Sequence, residues 1–134
     1  MILINEARKT ELIELAKAAA EKAYAPYSKF RVGAAVLTNS GKIYSGCNVE
    51  NASFSLTICA ERNAVFQAVA EGHKDIAAIV IYVDSELSFP PCGACRQVLA
   101  EFAHDMPVFI ANRKETVETT LAALLPERFT LPNA

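Results

Sequence analysis

Three of the four cysteines in this chain stand where helical patterns begin, and that placement restricts the fold more than any other feature. Cys59 opens Cys59-Ala60-Glu61-Arg62, at the head of a helical stretch over Ile58 to Glu71. Cys92 and Cys95 lie in Pro91-Cys92-Gly93-Ala94-Cys95, at the head of another over Gly93 to Ala103. A C-x-x-C pair at a helix start can close two bonds on one metal. A third thiolate from a neighbouring helix completes a three-sulfur site. Zinc is the natural occupant of such a site, and three protein ligands leave one position open, the mark of a catalytic centre. If the three sulfurs share one ion, the fold must bring the two helix N-termini together.

The rest of the chain is built to hold such a centre. Its 134 residues make a single domain, 1–134, large enough for one hydrophobic core. A 52% hydrophobic and 21% charged composition is that of a globular protein. Thirteen Lys and Arg against fifteen Asp and Glu give a net charge of -2, so a basic footprint for nucleic acid or an anionic membrane is missing. No apolar run approaches the roughly 20 residues that span a bilayer. Met1-Ile2-Leu3-Ile4-Asn5-Glu6 has no positive region before its apolar patch and does not read as a signal peptide. The expectation is a cytoplasmic protein, whose cysteines serve as ligands, nucleophiles or packing residues rather than disulfides.

Periodicity places a first helix over Glu6 to Tyr24, with Leu12, Ile13, Leu15, Ala16, Ala19, Ala20 and Ala23 recurring at helical spacing and Pro26 stopping it. Arg31 to Leu37 and Lys42 to Cys47 flank a Thr-Asn-Ser-Gly turn and read as a hairpin. Asn48 to Thr57 reads as irregular. Gly72 is placed to end the helix that Cys59 opens. Ala77 to Val83 is continuously apolar, the pattern of a central strand covered on both faces. A loop over Asp84 to Pro91 leads into the third helix, followed by a buried strand, Pro107 to Ala111. Thr119 or Thr120 caps a last short helix, Leu121 to Leu125, which Pro126 ends. The order α-β-β-α-β-α-β-α implies a mixed sheet between helical layers, with a parallel crossover in its second half.

Charge bounds the chemistry. Zinc with three thiolates carries -1, which makes it a poorer acidifier of water than zinc on three neutral histidines. Two helix N-termini aimed at the ion offset this, each contributing about half a positive charge. Arg62 can donate to the sulfurs and neutralise more. Glu61, two residues past a ligand, can hang over the open position and move a proton, which is general acid/base work.

These motifs resemble the zinc-dependent cytidine deaminase superfamily, whose general pattern includes a three-cysteine variant. Between Glu61 and Pro91 lie 29 residues, a spacing that also fits. The resemblance extends to the small, homotetrameric, free-nucleoside type through Ala25-Pro26-Tyr27-Ser28-Lys29-Phe30, Gly46-Cys47-Asn48-Val49-Glu50-Asn51-Ala52, Arg96-Gln97-Val98 and Leu124-Leu125-Pro126. It implies a three-layer α/β/α fold around a mixed sheet of about five strands. It implies hydrolytic deamination of cytidine and 2′-deoxycytidine to uridine and 2′-deoxyuridine plus ammonia, a pyrimidine-salvage step. Cys59, Cys92 and Cys95 would bind one Zn²⁺ per subunit, zinc-bound hydroxide would attack C4, and Glu61 would shuttle the proton. The Ala60 N–H would hold the base O2, and the Cys92 carbonyl would face the amine. Asn48 and Glu50 would bind the ribose, Phe30 would pack on the nucleoside, and Phe129 would stack on the base from a neighbouring subunit. The sequence departs from the family pattern at Pro90, where Ser is common, at Asn63, where Thr is usual, and at Phe54, where Tyr is frequent.

Other readings stand beside this one. Cys92-Gly93-Ala94-Cys95 also resembles a redox pair, although Cys59 and Glu61 then have no role. Cys47 could make a fourth ligand of a closed structural zinc site. A deaminase of a related aminated pyrimidine such as blasticidin S, and a zinc-stabilised module without turnover, are the functional alternatives. The lack of a basic stripe disfavours a polynucleotide substrate. Arg96 and Gln97 take no assigned role.

Overall fold

The uninterrupted apolar run at the middle of the chain becomes the centre of the sheet. The computed structural model describes residues 4–132, so Met1-Ile2-Leu3 of the N-terminal patch lies outside the described residues. Strand β3 (Ile76–Val83) is buried at every position. On one side it pairs antiparallel with β1 (Val32–Thr38), which in turn pairs antiparallel with β2 (Ile43–Cys47). On the other side it pairs parallel with β4 (Pro107–Ala111), and β4 pairs antiparallel with β5 (Thr116–Thr120). The sheet order is β2-β1-β3-β4-β5. Alternation of side chains splits the core in two. Ala35, Leu37, Val80, Tyr82 and Phe109 pack beneath helix α1 (Glu6–Ala20). Ala34, Val36, Ile79, Ile81 and Val108 pack beneath α2 (Ala60–Ala70), α3 (Gly93–Phe102) and α4 (Leu121–Leu124). The expected three-layer α/β/α arrangement of about five strands is what the chain adopts.

Two glycines let the helices approach. A Cβ on Gly33 would lie 1.9 Å from the Ala16 carbonyl oxygen, so α1 sits with its backbone on β1. A Cβ on Gly46 would lie 2.6 Å from the Ala64 nitrogen, so the first turns of α2 sit on β2. Caps follow the sequence. The Asn5 side chain accepts from the Arg8 N–H (2.8 Å), and the Thr120 hydroxyl from the Ala123 N–H (3.1 Å). Gly72, at φ 92°, ends α2 in the left-handed region.

The structure corrects the expected elements in three places. Helix α1 ends at Ala20, not Tyr24, because Tyr24 is drawn into strand-like pairing. Its N–H donates to the Asn48 carbonyl (3.0 Å), and its own carbonyl accepts from Glu50 (2.9 Å). Asn48 to Thr57 is therefore not wholly irregular: Val49 bridges Tyr24 and Ile58, and Phe54–Leu56 forms a 3₁₀ turn. Pairing with Val49 also keeps Ile58 out of α2, which starts at Ala60. Strand β5 is the third correction, an edge strand whose Thr-Val-Glu-Thr-Thr sequence carries no apolar run.

Candidate metal centre and active site

Cys59 and Cys92 occupy the N-cap positions of α2 and α3. Ser, Thr, Asp or Asn usually stands there and spends its side chain on the first-turn amides. Neither cysteine makes a side-chain capping bond, so both sulfurs remain available. Cys95 follows one turn later and is fully buried. The three Sγ atoms lie within 4.8 Å of one another. Cys47, at the end of β2, does not belong to this group, so a four-thiolate site is not what the described residues form.

Polar side chains hold the two helix starts in register. Asn63 Nδ2 donates to the Cys47 carbonyl (2.8 Å), tying the first turn of α2 to the end of β2. Arg96, left without a role by the sequence, donates through Nε to the Pro91 carbonyl (2.7 Å) and through Nη1 to the Leu124 carbonyl (3.0 Å). It fastens the segment before Cys92 to the end of α4. Gln97 Nε2 donates to the Phe129 carbonyl (3.1 Å), outside the centre.

The donor set fits zinc. Thiolates 2.3 Å from a tetrahedral zinc stand about 3.8 Å apart, so small side-chain rotations close this cluster on an ion. Arg62 Nη2 already donates to Cys59 Sγ (3.2 Å). Its buried Nε lacks a partner, a polar atom best explained by the negative charge of the cluster beside it. The Cys59 thiol is pulled down to about 5, first by a hydrogen bond with Cys95 and then by Arg62. The same bond with Cys59, reinforced by burial, pushes the Cys95 thiol up.

Glu61 is only 6% exposed. Burial pushes its carboxyl above the ordinary carboxylate range; its own backbone N–H pulls the other way, and the Cys59 thiolate pushes it up further. A carboxyl raised in this way and facing the cavity is suited to taking up and releasing a proton, as a general acid/base requires. A cavity of about 270 Å³ reaches Cys59, Ala60, Glu61, Cys92, Phe30 and Asn48, so six of the expected site residues share one space.

Within and around that cavity, several expected residues also serve the protein, and Glu50 and Phe129 lie outside it. Asn48 spends its amide on the protein, donating to the Phe30 carbonyl (2.8 Å) and accepting from the Val32 N–H (2.9 Å). That leaves one donor and one lone pair for a ligand. Glu50 does not line the cavity. It accepts from the Tyr27 and Ser28 amides (2.9 and 3.1 Å) and from the Ser28 hydroxyl (2.5 Å). Those bonds, the Ser28 hydroxyl first, hold its carboxyl below the usual range. The Cys92 carbonyl accepts the Arg96 amide (3.0 Å) as the first helical bond of α3. Phe129 is 67% exposed and lies beside Gln97 and Leu131, away from its own chain's cavity. The sequence reading missed Phe89, which lines the cavity beside Pro90. The signal was the departure at Pro90, one residue on.

A three-thiolate cluster at two helix N-termini, with a buried carboxyl beside it and a cavity in front, defines a metal site of the open, catalytic class. Residues 6–111 match the cytidine and deoxycytidylate deaminase zinc-binding region. The chain is 52% identical over 121 residues to a cytidine deaminase of Sporosarcina psychrophila, covering 89% of each. The crystal structure of a cytidine deaminase from Burkholderia pseudomallei superimposes with a TM-score of 0.86 at 47% identity, over 94% of this chain and 100% of that one. A blasticidin-S deaminase of Bacillus cereus is more distant, 35% identical over 128 residues, covering 88% of this chain and 91% of that one. The chain belongs to the zinc-dependent cytidine and deoxycytidylate deaminase family. No described helix is long and apolar enough to cross a membrane.

Proposed function

We propose that this chain hydrolyses the exocyclic amine of cytidine and 2′-deoxycytidine, releasing uridine or 2′-deoxyuridine and ammonia. The observation that carries the reading is the buried Glu61 carboxyl beside the three sulfurs, in a cavity it shares with Cys59 and Cys92. Cys59, Cys92 and Cys95 would hold the zinc, which when bound would supply an acidified water for attack at C4. Arg62 offsets the surplus negative charge by its bond to Cys59. Glu61 would carry one proton of that water to N3 of the base, and then the second, from the hydroxyl added at C4, to the amine, which leaves as ammonia as the C4 carbonyl forms. The Ala60 N–H, one of the unpaired first-turn donors of α2, holds the base O2.

Phe30 packs on the nucleoside. Asn48 uses its remaining donor on the ribose, and Glu50 accepts a ribose hydroxyl while it fixes the Tyr27–Ser28 turn. Glu50 lies outside the cavity surface, so its contact requires the sugar to reach past Ser28. A neighbouring subunit's Phe129 covers the base in a homotetramer. The exposed apolar side chains Phe54, Leu56, Phe129 and Leu131 support such assembly, which light scattering measures. The reaction is a pyrimidine-salvage step in the cytoplasm.

The test is the ultraviolet change of cytidine loss, followed for wild type and Glu61→Gln. Wild type turns over and Glu61→Gln is slower by at least about 10²-fold. A zinc-loaded wild type that leaves cytidine untouched contradicts the proposal and supports a zinc-stabilised module. Turnover of blasticidin S in preference to cytidine favours the other deaminase.

A further inference from the structure

We propose that Phe89 sets how large a substituent the substrate's base can carry at C5; the inference rests on the deaminase reading above. Phe89 and Phe30 both line the cavity, and their ring centroids stand 4.7 Å apart with the planes at 87°. They form an edge-to-face corner.

Neither side of that corner can yield easily. Phe89 precedes Pro90 and Pro91, so its backbone is confined to extended conformations and the next two φ angles are fixed. Arg96 clamps the Pro91 carbonyl from below (2.7 Å). On the other segment, Asn48 holds the Phe30 carbonyl (2.8 Å) and the Ser28 hydroxyl holds the Phe30 N–H (3.0 Å).

The two walls of the cavity differ in chemistry. Ala60 and Glu61 come from the start of α2 and supply the polar groups. Phe89 and Pro90 come from the segment that enters α3 and, ahead of Cys92, present apolar side chains. In a cytosine ring, N3 and C5 flank C4 on opposite sides. With C4 at the metal centre and N3 turned to Glu61 for protonation, C5 turns towards the α3 side. The apolar wall suits that edge, because a C5–H needs no hydrogen-bond partner. A rigid aromatic corner there accepts hydrogen and refuses bulk.

The experiment compares cytidine, 5-methylcytidine and 5-iodocytidine as substrates of the full zinc-loaded chain. In wild type kcat/KM falls as the substituent grows. Phe89→Ala raises the ratio of 5-methylcytidine to cytidine at least about tenfold, the lower end of what one methyl group in an apolar pocket decides. Phe89→Leu, which keeps the chain folded should the smaller residue fail, falls between. Zinc content stays at the wild-type value in each. Because each variant is compared with itself on two substrates, a general loss of structure does not move the ratio. A wild type whose kcat/KM is level across the series overturns the proposal. So do variants that still turn over cytidine with the wild-type ratio. A wild type inactive on cytidine overturns the deaminase reading first, and this inference with it.

Discussion

Gly46 is the point at which a fold contact and the chemistry meet. It pairs with Ala34 in the hairpin, on the face that α2 covers. A methyl group on it would lie 2.6 Å from the Ala64 nitrogen, 2.9 Å from the Asn63 carbonyl carbon and 3.0 Å from the Ala60 carbonyl oxygen. All three are backbone atoms, so no side chain can rotate away. Ordinary contact begins at 3.4 Å, so α2 must retreat by about 0.8 Å or β2 must bend. Overpacking of this kind costs about 1–3 kcal/mol. For a chain of this size that lowers the melting temperature by about 4–12 °C. The same retreat carries Cys59 and Glu61 away from Cys92 and Cys95, which are fixed to α3. A displacement near 1 Å at a reacting centre costs about 10²-fold in rate. Gly46→Ala should therefore lose both stability and activity, measured by calorimetry and by cytidine turnover. Gly93→Ala is the comparison for stability, because nothing lies within 4 Å of its Cβ position and its melting temperature should not fall. A Gly46→Ala chain with wild-type melting and wild-type kcat/KM would refute the claim that this contact seats the catalytic helix.

Arg62→Ala should retain zinc but lose about 10–100-fold in activity, since it removes the donor to Cys59 Sγ; full activity contradicts its role. Glu61→Gln should raise the melting temperature of metal-free protein at neutral pH. The folded pKa of Glu61 lies above its unfolded value, so its burial penalty is absent below that value and grows as pH rises past it. The difference from wild type should vanish near pH 4 and widen towards neutrality, and a constant difference refutes the cause. Glu50 has the opposite sign. Its folded pKa is depressed, so its hold on Tyr27 and Ser28 is complete above the unfolded value of 4.5 and is lost as pH falls through the folded one. Glu50→Gln should melt below wild type at pH 6 and converge with it in acid.

Where local chemistry decided the structure, the sequence made it readable. Cysteines at two helix starts, an apolar run at 77–83 and a Thr-Asn-Ser-Gly turn each carry their own signal. The rest depended on contacts between distant segments. Tyr24 leaves the helical pattern because Asn48 and Glu50 offer its backbone better partners. Strand β5 forms because the edge of β4 is unpaired, and its own polar residues announce nothing. Arg96 had no assigned role until the fold brought Leu124 to it. Phe89 looked like a loop hydrophobe until Phe30 arrived from 59 residues away. Asn48 and Glu50 show a further limit: both were expected to serve the sugar, and the structure shows how much of each serves the protein.

The most direct test is elemental analysis of gently purified protein, paired with cytidine turnover before and after chelation. One zinc per chain, activity lost with the metal and restored by adding zinc back, is the predicted result. Protein that holds no metal as isolated, or turnover that chelators leave untouched, would contradict the account.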